Sequence, residues 1–128
     1  MAVNGARLWQ NLLALAAITE PDKPYTRRSF SPRFLAGRQW LTAKMQAAGL
    51  ATRIDSAGNL IGHLPGNGTK AGVIAIGSHS DSVPNGGRFD GIAGVLTALE
   101  CAASWREQGI TLNHDVEIID YLAEEPSE

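Results

Sequence analysis

The sequence predicts an α/β fold, a layered mixed sheet with flanking helices, and three observations support this prediction. Apolar residues recur at helical spacing in several segments. Residues 72–77 form a continuous apolar run and residues 116–122 a mainly apolar one, and both have the length of buried strands. A helical segment connects these two runs, and a strand–helix–strand order favours parallel strands in one sheet.

Two helices are predicted in the first part of the chain. The first ends before Pro21 and Pro24, and the second begins at Ser31-Pro32, since serine is a good N-cap and proline suits the first helical position. Gly49 is expected to end the second helix in a left-handed conformation. The apolar stripe of the first helix consists of Leu8, Leu12, Leu15, Ala16 and Thr19. The inner face of the second consists of Phe34, Leu41, Met45 and Ala48.

The next part of the chain changes from helical spacing to extended runs. Residues 51–55 and 59–64 are short extended segments around a glycine-containing turn, which predicts a hairpin. The run 72–77 is apolar throughout, so we expect a strand that is covered on both faces. A glycine-rich loop, 78–91, then leads into a helix that starts at Ile92.

The composition is that of a soluble globular protein without a nucleic-acid or membrane partner. Hydrophobic residues make up 44% of the 128 residues, and the net charge of −2 leaves no basic footprint for nucleic acid or an anionic membrane. The apolar stretch 8–18 is shorter than the roughly 20 residues that span a bilayer. A single cysteine, Cys101, excludes an internal disulfide and fits a reducing compartment, so we expect a cytoplasmic location.

Imidazole and carboxylate groups lie just past the two predicted buried strands. His79 and Asp81 follow the first strand. Glu124 and Glu125 follow the second, and Asp90 precedes the helix between them. Ligands of open α/β sheets bind beyond the carboxyl ends of the strands. If the two strands are parallel neighbours, these side chains converge at one edge of the sheet.

These residue types suit a hydrolytic site with two metal ions. Imidazole and carboxylate groups bind zinc, manganese or cobalt, and one carboxylate can bridge two ions. Such ions lower the pKa of a bound water, and a further carboxylate must take its proton. Glu124 and Glu125 would divide these duties, one on the water and one on the metal. Asp81 would accept the second N–H of His79 and set its tautomer.

Several of these residues also have a structural interpretation. Asp90 in front of an apolar helical run is typical of an N-cap, and adjacent glutamates near a chain end are often a solvated acidic tail. Arg88 either holds a substrate carboxylate or pairs with Asp90. His63 and His114 fit surface or structural histidines better than metal ligands.

A glycine-rich segment resembles the signature of the amidase, hydantoinase and carbamoylase group of binuclear metallohydrolases: residues 77–91 read GSHSDSVPNGGRFDG. This group includes N-carbamoyl-L-amino-acid hydrolases, allantoate amidohydrolases and β-ureidopropionases, and it is related to aminoacylase-type metallopeptidases. Residues 25–31 and 55–60 also resemble segments of the group, at the entry to the second helix and in the hairpin. The resemblance implies part of a catalytic domain of the zinc exopeptidase, or aminoacylase-like, type.

The resemblance also implies a role for each candidate residue. His79, Asp90 and Glu125 would be metal ligands, and Asp90 would bridge two divalent ions (Zn²⁺, or Mn²⁺, Co²⁺ or Ni²⁺). Glu124 would be the general base and Asp81 the hydrogen-bonding partner of His79. The implied reaction is hydrolysis of a C–N bond in a carbamoyl, ureido or related amide group of a small molecule, through attack by a bridging hydroxide.

Members of the group are considerably longer than this chain and take further ligands from later sequence. Residues 1–128 are therefore expected to be the N-terminal part of the catalytic domain, without the domain that makes the full-length enzyme a homodimer, and to be inactive alone. Pro126 follows the glutamate pair where many members have glycine, which leaves the substrate class open. Two alternatives remain: an aminoacylase- or peptidase-type metallohydrolase, and an inactive fragment that keeps only the fold.

Overall fold

The computed structural model describes residues 2–126, which form three helices and four strands. In chain order these are α1 (Gly5–Ala16), α2 (Pro32–Ala47), β1 (Ala51–Ile54), β2 (Leu60–Leu64), β3 (Val73–His79), α3 (Ile92–Glu107) and β4 (Asp115–Tyr121). The predicted α/β class and the order of the elements are confirmed. No helix in this part of the chain is long and apolar enough to cross a membrane.

The four strands form one mixed sheet in the order β1-β2-β4-β3. β2 is antiparallel to both β1 and β4, whereas β3 is parallel to β4. The predicted hairpin and the predicted parallel pair, connected through α3, are therefore confirmed. His79 is in register with Tyr121, so β3 and β4 end at the same edge of the sheet.

The helices pack on the face of the sheet that carries Val116 and Ile118 of β4, which are almost completely buried. α3 lies against β3 and β4, α2 against β1 and β2, and α1 against α3. Side chains from all three helices meet those of β2 and β4 in one apolar cluster. Because buried and half-buried residues alternate along β4, the sheet buries one face more deeply than the other.

Local signals define the ends of α2 as the sequence predicts. The hydroxyl of Ser31 accepts the backbone N–H of Phe34, and Pro32 is the first helical residue. Gly49 follows the helix with a φ of 88°, in the left-handed region that favours glycine. These contacts join residues that are close in sequence, so they can be predicted without knowledge of the tertiary structure.

β3 differs from the strand that the sequence predicts, since it is not covered on both faces. It lies at the edge of the sheet and pairs with β4. Although α3 packs against it, Val73 and Ile74 remain 51% and 42% exposed within the described chain. The prediction of full burial is wrong because an apolar run indicates a strand but does not tell how many layers cover it.

Candidate metal centre

The carboxyl ends of β3 and β4 carry the candidate residues. His79 is the last residue of β3, and the chain leaves β4 after Tyr121, its register partner. Ala123 has a φ of 52°, which is uncommon for a residue other than glycine. Beyond this turn, Glu124 contacts His79 at the end of β3, and the backbone of Glu125 contacts Asp81 in the loop that follows.

Three side chains at this edge form a group that could hold a metal ion. One ligand atom from each of His79, Glu124 and Glu125 lies within 4.8 Å of the other two. His79 is 8% exposed, and its Nε2 is 3.4 Å from Oε2 of Glu124. A buried imidazole thus presents one ring nitrogen to two carboxylates nearer the surface.

Asp81 contacts the other nitrogen of the same imidazole. Nδ1 of His79 lies 3.1 Å from the backbone oxygen of Asp81 and 3.3 Å from its Oδ1. Asp81 is 1% exposed, and its Oδ1 has no hydrogen-bond partner in the described chain. A proton on Nδ1 places an N–H donor beside both acceptors and leaves Nε2 free to bind a cation.

Asp90, just before α3, is not one of these three side chains, but it interacts with Glu125. Gly91 rather than Asp90 is the N-cap of α3 and no side chain caps it, so the N-cap interpretation of Asp90 is wrong. Burial raises the pKa of Glu125 above its ordinary value, and a hydrogen bond with Asp90 raises it further, whereas the nearby His79 acts in the opposite direction. Carboxylates in such contact repel each other unless a proton or a cation lies between them.

Gly91 lets the start of α3 approach His79 closely. Its φ is 68°, and a Cβ at this position would lie 2.4 Å from the backbone oxygen of His79 and 2.5 Å from its Cε1. Glycine is therefore required by the backbone conformation and by the contact. The residue that follows Asp90 in the chain therefore lies directly against the histidine.

The chemistry of this donor set fits a divalent transition-metal ion. An imidazole nitrogen and carboxylate oxygens are the usual ligands of zinc and manganese. A metal-binding histidine also commonly donates its second N–H to a carboxylate or carbonyl, which is the position that Asp81 occupies here. The group is partial, because a site for two ions needs more ligands than these side chains supply.

Other candidate residues lie apart from this group. Arg88 is exposed, its guanidinium lies 5.5 Å from the ring centroid of Phe89, and it forms no salt bridge with Asp90 within residues 2–126. His63 lies in β2, where its Nε2 is 3.5 Å from Asp115. The carboxylate neighbour supports a structural role for this histidine.

A buried polar cluster behind the site was not predicted. Asp120 in β4 is completely buried, accepts the hydroxyl of Ser80 at 2.8 Å and forms a 3.0 Å salt bridge with Arg38 of α2. These bonds join the loop after β3 to β4 and α2. An acidic residue inside the apolar run 116–122 was the available signal, because a buried carboxylate requires partners. No pattern in the sequence indicates that these partners are Ser80 and Arg38.

Comparison with known proteins shows the family. Peptidase family M28 matches residues 59–127, more than half of the chain. An N-carbamoyl-L-amino acid amidohydrolase from Geobacillus stearothermophilus is 39% identical over 124 residues, which cover 96% of this chain and 30% of that protein. An allantoate amidohydrolase from Escherichia coli (strain K12) is 39% identical over 110 residues, which cover 84% of this chain and 26% of that protein.

A solved structure supports the same relationship. One similar structure is the crystal structure of an amidase of the hydantoinase/carbamoylase family from Burkholderia multivorans. The match covers 98% of this chain and 31% of the amidase chain, with a TM-score of 0.91 and 36% sequence identity. The chain thus spans less than a third of the length of each of these three proteins. The predicted resemblance is confirmed, and the chain belongs to peptidase family M28, with hydantoinase- and carbamoylase-type amidases among its similar proteins.

Proposed function

We propose that the polypeptide that carries this sequence hydrolyses a C–N bond in a carbamoyl or ureido group of a small molecule, with divalent metal ions as cofactors. The convergence of His79, Glu124 and Glu125 at the shared edge of β3 and β4 carries this proposal. The names of similar proteins support the substrate class, because N-carbamoyl amino acids and allantoate both contain an H₂N–CO–NH group.

Metal binding and proton transfer are divided among four residues at this edge of the sheet. His79, Asp90 and Glu125 would hold the metal ions. The ions would lower the pKa of a water molecule and polarise the carbonyl that it attacks. Glu124, whose side chain is 52% exposed and accessible to substrate, takes a proton from that water and delivers it to the leaving nitrogen as the C–N bond breaks.

Arg88 is proposed to bind a carboxylate of the substrate. It is an exposed guanidinium in the loop that leads to Asp90, and a guanidinium can form two parallel hydrogen bonds with a carboxylate. We also propose that residues 1–128 form the N-terminal part of the catalytic domain of a homodimer. The small share of each relative that the chain covers supports the first half of that statement.

An aminoacylase- or peptidase-type activity is the second candidate function. The match to a family named for peptidases favours it. The same metal ligands and general base would serve either class, because both reactions add water to an amide carbonyl. The product separates the two, since only a ureido substrate releases ammonia.

Replacement of Glu124 tests the proposed mechanism. In the metal-loaded polypeptide that carries this sequence, Glu124→Gln is expected to lower kcat for ammonia release from an N-carbamoyl-L-amino acid about 10²–10⁴-fold, because an amide does not accept the proton. The metal content, measured by elemental analysis, should remain that of the wild type.

Two other glutamate variants provide the comparison. Glu125→Gln is expected to lose metal together with activity. Glu107→Gln alters a side chain that is 57% exposed at the opposite end of α3, and it should retain both. Wild-type turnover by Glu124→Gln would remove this residue from the mechanism, and cleavage of N-acyl amino acids or dipeptides without ammonia release would favour the second candidate.

A further inference from the structure

The segment before α2 is bonded to the loop that contains Asp81. The backbone N–H of Arg27 donates to Oγ of Ser82 at 2.8 Å, and the N–H of Ser82 donates to the Arg27 oxygen at 3.0 Å. Nε of the fully buried Arg27 donates to the backbone oxygen of Ser80 at 2.7 Å. Oγ of Ser29 donates to Oδ2 of Asp81 at 2.8 Å. The first three residues of this loop, Ser80, Asp81 and Ser82, are therefore all held from the same segment.

The bond from Ser29 differs from the others because its acceptor belongs to the candidate metal centre. Oδ2 of Asp81 also accepts the backbone N–H of Glu125 at 3.2 Å, while Oδ1 lies 3.3 Å from Nδ1 of His79. Ser29 is 7% exposed, so water does not compete freely for its hydroxyl. One carboxylate thus connects a candidate metal-binding histidine with the backbone of a candidate metal-binding glutamate.

The backbone beside Ser29 is held in an unfavourable conformation. Phe30 has a φ of 65°, in a region that residues other than glycine avoid, and its side chain is 65% exposed. Because burial of Phe30 does not offset this strain, the bonds of its neighbours must maintain the turn. Ser29 reaches Asp81 on one side of the turn, and Ser31 caps α2 on the other.

We propose that Ser29 is a positioning residue of the candidate metal centre. Its hydroxyl holds Oδ2 of Asp81 beside the amide of Glu125, which turns Oδ1 toward His79. Without that hydroxyl the carboxylate can rotate about its Cβ–Cγ bond, and the histidine and the glutamate lose their common partner. The consequence for turnover rests on the proposed function, whereas the consequence for these hydrogen bonds does not.

NMR spectroscopy of the metal-free chain measures this positioning directly. In Ser29→Ala, the amide proton of Glu125 and the ring nitrogens of His79 are expected to shift, since both groups face Asp81. Ser104→Ala is the matched control, because Ser104 is 1% exposed and donates to a buried carboxylate of α3 at 2.8 Å, outside the candidate centre. It should lower stability by a comparable amount and leave both signals in place.

A second variant and a second measurement complete the test. Ser29→Cys replaces the hydroxyl with a somewhat larger thiol, which is a weaker donor, so it should shift the same signals in the same direction. If the alanine variant unfolds, the cysteine variant carries the measurement. The affinity for Zn²⁺, measured in competition with a chromophoric chelator, should fall about 10–100-fold in Ser29→Ala, as when an outer hydrogen-bond partner of a metal ligand is removed.

The outcomes separate this proposal from the proposed function. Unchanged Glu125 and His79 signals in the Ser29 variants, or equal shifts in Ser104→Ala, overturn the positioning role. Shifted signals together with no hydrolysis of ureido compounds by the complete polypeptide would leave the positioning role standing and refute the function. Hydrolysis with unmoved signals would refute the positioning role alone.

Discussion

Gly91 and Gly109 lie at the two ends of α3, and both have a positive φ, of 68° and 65°. Their surroundings differ. A Cβ at Gly91 would meet the backbone and ring of His79, whereas nothing lies within 4 Å of the same position at Gly109. Both glycines have a positive φ, and only Gly91 also contacts the candidate site.

Gly91→Ala is expected to destabilise the chain more than Gly109→Ala does. A positive φ strains an alanine at both positions, by roughly 1–2 kcal/mol where the backbone is left-handed helical. The ψ of −56° at Gly91 lies outside that region, which adds to the strain there. At Gly91 the new Cβ would lie as close as 2.4 Å to His79, so the histidine or the start of α3 must move as well. Denaturant unfolding measures both free energies, and Zn²⁺ affinity should fall in Gly91→Ala alone. Equal losses in both variants would contradict the contact argument.

At the scale of elements, β3 and β4 are both largely apolar strands, but they occupy different positions in the sheet. β4 has a neighbour on each side, and its residues alternate between buried and half-buried. β3 ends the sheet, and Val73 at its start is 51% exposed. An exposed edge with apolar side chains can pair with another chain.

Val73→Lys is expected to reduce self-association of the isolated chain. A charge on an edge strand disfavours pairing between chains, and a substitution at an exposed position should change the free energy of unfolding by no more than about 0.5 kcal/mol. Sedimentation velocity over a range of concentrations measures the association. Val3→Lys is the control, because Val3 is 53% exposed outside the sheet. If both variants reduce association equally, net charge rather than β3 is responsible.

At the scale of the whole molecule, one carboxylate of α3 ties α1 to the rest of the fold. Arg7 donates to both oxygens of Glu100 at 2.7 and 2.8 Å, and the backbone N–H of Asn4 adds a bond of 2.9 Å. Glu100 is 3% exposed. The hydrogen bonds from Arg7 lower its pKa from 4.5 to about 2, although burial acts in the opposite direction.

Glu100→Gln is expected to lower the free energy of unfolding at pH 7. It should also make that free energy depend less on pH in the acid range. A carboxyl group with a lowered pKa contributes its full stability above the unfolded value, 4.5, and loses that contribution as the pH falls toward 2. The contribution is on the order of 2 kcal/mol, since Arg7 is partly exposed and solvent screens the pair. Glutamine does not titrate, so this part of the pH profile should disappear.

Denaturant unfolding at intervals between pH 2 and pH 7 measures this effect. Glu107→Gln is the control, because Glu107 pairs with the same Arg7 but is 57% exposed. It should keep the pH profile of the wild type. A wild-type profile in Glu100→Gln would assign the acid sensitivity to other carboxylates.

Much of the fold could be predicted because its signals are local. Ser31 and Gly49 mark the ends of α2 through contacts with residues a few positions away. The candidate ligands could be recognised as well, because His79 and Glu124 directly follow apolar runs. Full burial of β3 could not be judged in this way, since it depends on the position of the strand in the sheet.

The sequence by itself determined the type and order of the elements and the placement of imidazole and carboxylate groups at their ends, because these depend on neighbouring residues. Only the tertiary structure decided which distant partners meet. Ser29 reaches Asp81 across 52 positions and Arg38 reaches Asp120 across 82. Such contacts arise when α2 and the segment before it pack against the sheet, and no local pattern specifies which polar side chains that packing brings together.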